Sequence, residues 1–366
     1  MGTSGGRPDI GLSTANVVNW LLGAEPYAAE FALGQARAAS AIPWHFYDMP
    51  RGIPITTENY PALRPWAWVT PGRPGDPTSH GLTQRPVTDT GWGWNTSHQP
   101  DLSFVPYLLT GERWIYDNLM SQASASLLAA TPTPRLETER PVINDQIRAL
   151  AWSMRQIEHA AWSAVDGSAE QRFFDRAADA NWNYLLQKVP EWNARHGEIA
   201  GLIYAEYTYG HHTPVWQNYM VANVAGMAAL RGREKAAQLL DWMGNYLIGV
   251  INSEAKGLPP YNVITGDVPI RWNGEFLDTW AELADVLRSR GQLAETSFPV
   301  GHLQEYYRMY AGALAHLHMV TGREDAKRAF EKLFALGPVP GANPRPSTRP
   351  PRSSASSCRT SGRRTG

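Results

Sequence analysis

One pattern limits the folds open to this chain more than any other. An apolar run at helical spacing, a short turn holding glycine and a second helical run recur along its length. The copies are "NWLLGAEPYAAEFALGQARAASA" from Asn19, "PYLLTGERWIYDNLMSQASASLL" from Pro106, "WSAVDGSAEQRFFDRAADANWNYLL" from Trp162, "MAALRGREKAAQLLDWMGNYLIGV" from Met227 and "HMVTGREDAKRAFEKLFALG" from His318. Glycine suits the left-handed residue that closes a helix, and Pro or acidic residues suit the first turn of the next. The turn glycines are Gly23, Gly111, Gly167, Gly232 and Gly322. Gly291, in "ELADVLRSRGQLAE", ends a good helix, but "TSFPVG" breaks the one after it. Uneven spacing predicts helical hairpins with variable insertions, not a strict solenoid. Extended structure is expected only in "GEIAGLIYAEYTY" at 197–209 and as a short hairpin within 261–272.

These hairpins predict an all-α chain, either an open superhelix or a closed ring of inner and outer helices, and the insertions favour the ring. The hairpin domain is placed at 9–335. Residues 42–95, rich in Pro, Gly and aromatics, form a long insertion expected to be structureless and to act as a rim or lid. The stretch 337–366 holds no acidic or aromatic residue and reads as a disordered basic Pro/Ser/Arg tail, or as the product of a frameshifted end.

Composition removes several function classes. The only cysteine among 366 residues is Cys358, so the hairpin domain has no disulfide framework, Cys-based zinc site or cysteine nucleophile. A formal net charge of −1 gives no call for nucleic acid or an anionic membrane, and no apolar run could span a bilayer. The start lacks a secretory apolar segment, so the chain as written is cytoplasmic, or exported if it is a fragment. P-loop, GxGxxG and HExxH patterns are absent; no cofactor or metal is implied, and oligomeric state is left open.

The chemistry gathers before the first helix of each hairpin. "WGWNTSHQPD" (92–101), "RPVINDQIR" (140–148), "AEYTYGHHTPVWQN" (205–218), "IRWNGEFLD" (270–278) and "FPVGHLQEYY" (298–307) precede successive helices. If those helices lie parallel in an inner ring, their N-termini and unpaired N–H groups meet at one end, where anionic or hydroxyl-rich ligands are favoured. Capping competes for Asp101, Asn144 or Asp145, and Thr213. It leaves His98, Gln99, His211, His212, Trp216 and Gln217 unexplained. Trp92, Trp94 and Trp216 are offered equally as sugar-stacking rings or packing residues. His159, His316 and His318 read as packed or surface residues. A zinc site from His98, His211, His212 and His302 is disfavoured, because adjacent histidines rarely share one metal.

The "SHQPDLSFVPYLLTG" and "HHTPVWQNYMVANVAGMAALRG" segments, with the hairpin spacing, resemble bacterial proteins of the six-hairpin glycosidase superfamily over roughly 9–335. That resemblance implies an (α/α)6-type toroid, here incomplete or with an atypical last hairpin, acting on a carbohydrate polymer or oligosaccharide. Hydrolysis would need an acid and an ionised carboxylate. Asp101 and Glu206 are the preferred pair, Glu206 lying among Tyr204, Tyr207 and Tyr209. β-Elimination from a uronic acid polymer would instead use Tyr209, His211 or His212 as base, with Asn95, His98, Gln99 and Arg148 neutralising the acid group. Asn144, Asp145, Gln217, Asn218 and His302 would orient substrate. The residues leave the two chemistries close to even, and the superfamily slightly favours hydrolysis. A non-catalytic helical-repeat binding protein is the reading from another class.

Overall fold

A computed structural model describes residues 11–42, 44–60, 96–129, 146–204, 212–264, 267–299 and 304–337. The described residues are mostly helical. In chain order the helices are α1 (Ala15–Gly23), α2 (Pro26–Ala39), α3 (Phe104–Thr110), α4 (Arg113–Leu128), α5 (Ile147–Ser163), α6 (Ala169–His196), α7 (Val215–Leu230), α8 (Glu234–Asn252), α9 (Trp280–Ser289), α10 (Gln304–Thr321) and α11 (Glu324–Ala335). Three antiparallel strand pairs accompany them: β1 (Tyr47–Asp48) with β2 (Ile53–Pro54), β3 (His212–Pro214) with β4 (Asp267–Pro269), and β5 (Arg271–Trp272) with β6 (Glu275–Phe276).

Local chemistry sets the helix ends. Ser168 caps α6 by accepting the Gln171 N–H at 3.0 Å, and Thr279 with Glu282 forms a reciprocal capping box on α9. Gly111, at φ 67°, closes α3 in the left-handed region as its turn requires. In the first hairpin that role falls to Ala24, at φ 47°, and not to Gly23.

Long-range contacts fix helix directions. Arg148 meets Gln217 and His159 meets Met227, so α5 and α7 run parallel. The Asn223 amide donates to the Met309 carbonyl, and Gly226 lies against His316, so α10 runs parallel to both. The returning helices form a second parallel row: α6 meets α8 at Asp175–Arg233 and Asn193–Trp242, and α8 meets α11 at Asp241–Arg323 and Ile251–Lys332. Three successive hairpins thus build a two-layer arc with their leading ends together. Within it, α5 is buried from Ile147 to Ala161.

Several expectations change. Residues 42–60 are not structureless: Trp44 donates its indole N–H to Asn118 at 2.8 Å, Ser124 donates to the Ile55 carbonyl, and Ile53 and Ile55 are buried beside α4. This covering explains why a returning helix such as α4 is buried on most sides. Residues 61–95 lie outside the described residues. Within 197–209, Gly197–Ile199 is a 3₁₀ turn, 200–204 joins no ladder, and 205–209 is not described. The local hairpin expected in 261–272 sits slightly later, as β5–β6, around Asn273 and Gly274 at φ 51° and 93°. Among the described residues no helix follows α9 until Gln304, in keeping with the broken pattern after Gly291.

Glycines let side chains of α7 and α10 seat against the facing helix: His316 on Gly226 and Asn223 on Gly312. A Cβ on Gly226 would enter the His316 side chain, whereas one on Gly34, inside α2, would meet open space. Gly226→Ala should therefore cost about 2 kcal/mol by overpacking, while Gly34→Ala should gain about 0.5–1 kcal/mol in chain entropy. Denaturant unfolding of the two variants should give opposite signs.

Candidate functional site

At the leading end of the inner row, the sequence puts a cation, an amide and two aromatic rings within one turn of three helix starts. The Arg148 backbone N–H, an orphan donor in the first turn of α5, is accepted by the Gln217 side chain from the first turn of α7 at 2.9 Å. The Arg148 guanidinium donates to Gln146 at 2.6 Å and lies 5.6 Å from the Trp216 ring centre. Trp216 stacks on Tyr306 of α10 with centroids 4.7 Å apart and planes 11° from parallel. Arg148, Trp216 and Tyr306 therefore make one layered contact across α5, α7 and α10. The positive ends of these helices add to the guanidinium, and the combination favours a negative ligand.

The strand pair β3–β4 borders this cluster. Register places Pro214 opposite Asp267, and His212 accepts at Nε2 from the Arg290 guanidinium. Partial burial holds the Asp267 carboxyl above its usual range, with His212 and Arg290 opposing the rise.

Asp101 is elsewhere. The chain from 96 to 104 does not stop at the leading end but runs along α5. Gln99 donates to Ser153 at 3.3 Å, the Gln99 carbonyl accepts from Arg155 at 2.8 Å, and the Asp101 carboxylate faces His159 Nδ1 at 3.4 Å. His159 lies eleven residues after Arg148, roughly 16 Å along the helix axis. Asp101 accepts the N–H groups of Ser103 and Phe104, the cap of α3, and the Phe104 ring stacks on His159 at 3.8 Å. Capping, the competing explanation for Asp101, is the role its contacts fill. Burial alone would raise this carboxyl; His159, Arg155 and the Phe104 N–H overcome it and hold it below 3.8. Burial pushes the Arg155 guanidinium down to about 10, with Asp101 opposing, so it stays charged at neutral pH.

The other expected residues divide. Arg148, Trp216 and Gln217 come together. Trp216 is 9% exposed with Tyr306 over one face, so it is not an open stacking platform. Gln99 is buried among Ser153, Gln122 and Ser126. Asn218 is also buried: it accepts from Ile203 N at 2.7 Å and donates to the Ile203 carbonyl at 3.0 Å, clamping the incoming chain. Thr213 likewise donates to Ile203 and does not cap α7. His98 ends a half-buried 3₁₀ turn, Thr96–His98, packed on α5. Trp92, Trp94, Asn95, Asn144, Asp145, Glu206, Tyr209, His211 and His302 lie outside the described residues. The site gains Tyr306, Arg290 and Asp267; only Tyr306 stood in a polar run-up read as a signal, and Asp267 and Arg290 reach the site through long-range pairing.

Compared with known protein families, curated proteins and solved structures, the chain matches none.

Of the packed or surface places open to His159, the structure gives the packed one, and His196 and His316 are packed too. Burial holds all three imidazoles below 6.5. Each stays neutral where the unfolded chain takes up a proton, so stability present above pH 6.5 is lost as pH falls. Asp101, depressed from 3.8, adds a second loss below that value. Melting temperature should therefore fall on acidification from about pH 6.5. His159→Phe should reduce that slope without removing it, because His196 and His316 keep their share.

Proposed function

We propose that this chain is a carbohydrate-active enzyme that breaks glycosidic bonds in an acidic polysaccharide or oligosaccharide, and that its arc of hairpins belongs to an (α/α)6-type toroid. One observation carries the reading. Arg148 stands at the start of α5, its backbone N–H tied to the start of α7 and its nearly buried guanidinium layered over aromatic rings reaching to α10. Such a site suits a carboxylate on a hydroxyl-rich ring, since planar guanidinium and helix N-termini both favour negative oxygen.

Between the two bond-breaking chemistries, the place of Asp101 supports elimination. A carboxylate spent on a helix cap and a buried histidine contact, far from Arg148, leaves the Asp101–Glu206 pair without one member. In the elimination reading Arg148, with Asn95 and His98, neutralises the uronate carboxylate and stabilises the enolate. Tyr209, His211 or His212 takes the C5 proton; the electrons form the C4–C5 double bond, the C4–O bond breaks, and the leaving oxygen is protonated. Hydrolysis keeps one observation in its favour. Asp267, beside His212, carries a carboxyl with the raised proton affinity that a general acid needs.

Incubation with neutral and uronic glycans separates these readings. Elimination gives the ultraviolet absorbance of an unsaturated uronate, hydrolysis gives reducing ends without it, and a binding protein gives neither. Arg148→Gln should lower kcat/KM on a uronic glycan by about 10²–10³-fold, the usual loss of one transition-state donor. Asp101→Asn should lower the melting temperature while leaving kcat nearly unchanged. Turnover abolished in Asp101→Asn at an unchanged melting temperature would restore the hydrolytic pair.

A further inference from the structure

Three basic side chains from separate elements meet around one ring beside the returning row. The Phe276 ring of β6 has the Arg271 guanidinium 4.0 Å and the Arg195 guanidinium 5.0 Å from its centre, and the His196 imidazole stands edge-on to it at 5.3 Å. Strand register sets Arg271 of β5 opposite Phe276, and the last turn of α6 supplies Arg195 and His196. Bases in a last turn answer the carbonyl end of their helix, which accounts for Arg195 and His196 but not for Arg271. Among the described residues no ion pair holds Arg271, and its buried Nε meets no acceptor. The carboxylates nearby are engaged: Glu191 lies between Arg195 at 2.7 Å and Lys188 at 3.4 Å, Glu198 faces Lys256, and Glu282 caps α9. His196 is 4% exposed; its Nδ1 donates to the Leu277 carbonyl at 3.0 Å, which leaves Nε2 buried without a partner. Burial and then the two guanidiniums hold this imidazole below 6.5 against the Leu277 contact, and no carboxylate of the described residues opposes them.

We propose that Arg271, Arg195 and His196 form an oxyanion-binding site, for a phosphate or carboxylate group, distinct from the cluster at Arg148. The 200–204 segment divides the two. Asn218 holds Ile203 against α7, while Tyr204, the next residue, meets His196 at 5.1 Å and accepts from Arg195 at 3.0 Å. The Arg195 side chain is 27% exposed, and Arg271 and Phe276 are half-buried, so a ligand reaches the cluster from water. Planar guanidiniums offer paired N–H groups that match an oxyanion. Arg271 rests on an aromatic ring, so it turns onto a ligand without breaking an ion pair. A proton taken from solvent onto His196 Nε2 adds a third donor, so binding tightens as pH falls through the imidazole range. The site is independent of any bond-breaking chemistry at the leading end.

Nuclear magnetic resonance of the full chain with 15N-labelled histidine reads the site directly. The His196 signals are identified by their loss in His196→Asn and, independently, by their shift in Arg271→Gln. Inorganic phosphate should move them saturably and raise the pH at which they titrate, whereas sodium chloride at equal ionic strength should not. Arg271→Gln should weaken the response about tenfold or more, the usual effect of losing a charged hydrogen bond. Arg148→Gln should leave it unchanged, so this site stands or falls apart from the proposed cleavage reaction. Glucuronate as a second probe separates the sources: a tighter response than to phosphate marks a sugar carboxylate, a weaker one a phosphate group. No saturable shift of His196, an equal shift with chloride, or a response that survives Arg271→Gln overturns the inference. So does a response that appears only in Glu206→Gln, because a carboxylate of the chain then fills the site.

Discussion

The arrangement depends on one helix that is both buried and polar. Along α5, Arg148, Arg155, Glu158 and His159 are removed from water, and a charge in that position is tolerated only with partners. Each neighbour supplies one. The chain before α3 gives the Gln99 carbonyl to Arg155 and the Asp101 carboxylate to His159. The helix α6 gives the Trp182 indole to Glu158 at 2.6 Å, and Arg233, at the start of α8, reaches the same carboxylate at 3.1 Å. The first turn of α7 gives Gln217 to the Arg148 backbone. Such contacts add little net stability, because desolvation offsets their attraction. Their effect is register: sliding any neighbour by one turn strands a buried charge or a buried donor.

Register in turn aligns the helix starts. Once Gln217 holds the first turn of α5 and glycines seat α10 against α7, the three inner helices begin at one level. Trp216 then falls between Arg148 and Tyr306, and a layered cation–aromatic contact follows from backbone placement. This chemistry therefore belongs to no single loop; it is produced by contacts deep in the arc and disturbed by changes there.

Much of the hairpin order could be read from the sequence, since glycine at a left-handed position and a helical apolar period are local signals. Gly111, Gly167, Gly232, Gly291 and Gly322 all take positive φ. Asn273–Gly274 was equally local: the dipeptide favoured by a two-residue hairpin turn sat inside a run-up read for its polar side chains. The buried place of Asp101 was hidden for a different reason. Pro100 and the apolar run after it mark a helix start, but nothing local tells that the run-up travels along α5 before that helix begins. The buried places of Gln99 and Asn218 were hidden in the same way, as amides whose partners, Ser153 and Ile203, lie far along the chain or in an irregular turn. A polar residue before a helix has equal claims as ligand contact and as interior strut, and only the path of the preceding chain separates them.

The same parallel order explains why the two ends of the inner row differ. Leading ends present unpaired N–H groups, so polar side chains and a guanidinium gather there without leaving donors unsatisfied. Trailing ends present carbonyls, which the closing glycines turn back into the chain, and apolar side chains occupy the exposed shoulder: Leu108 and Leu109 of α3, Trp162 of α5, Leu230 of α7. Arg231 bridges that shoulder, its guanidinium 4.8 Å from the Phe104 ring and 5.0 Å from Trp162. The Phe104 ring also covers His159, so the shoulder and the buried Asp101–His159 contact share one aromatic wall. Polarity is thus sorted along the row by helix direction, and α5 holds that direction at both ends, through Arg148 at one and His159 near the other.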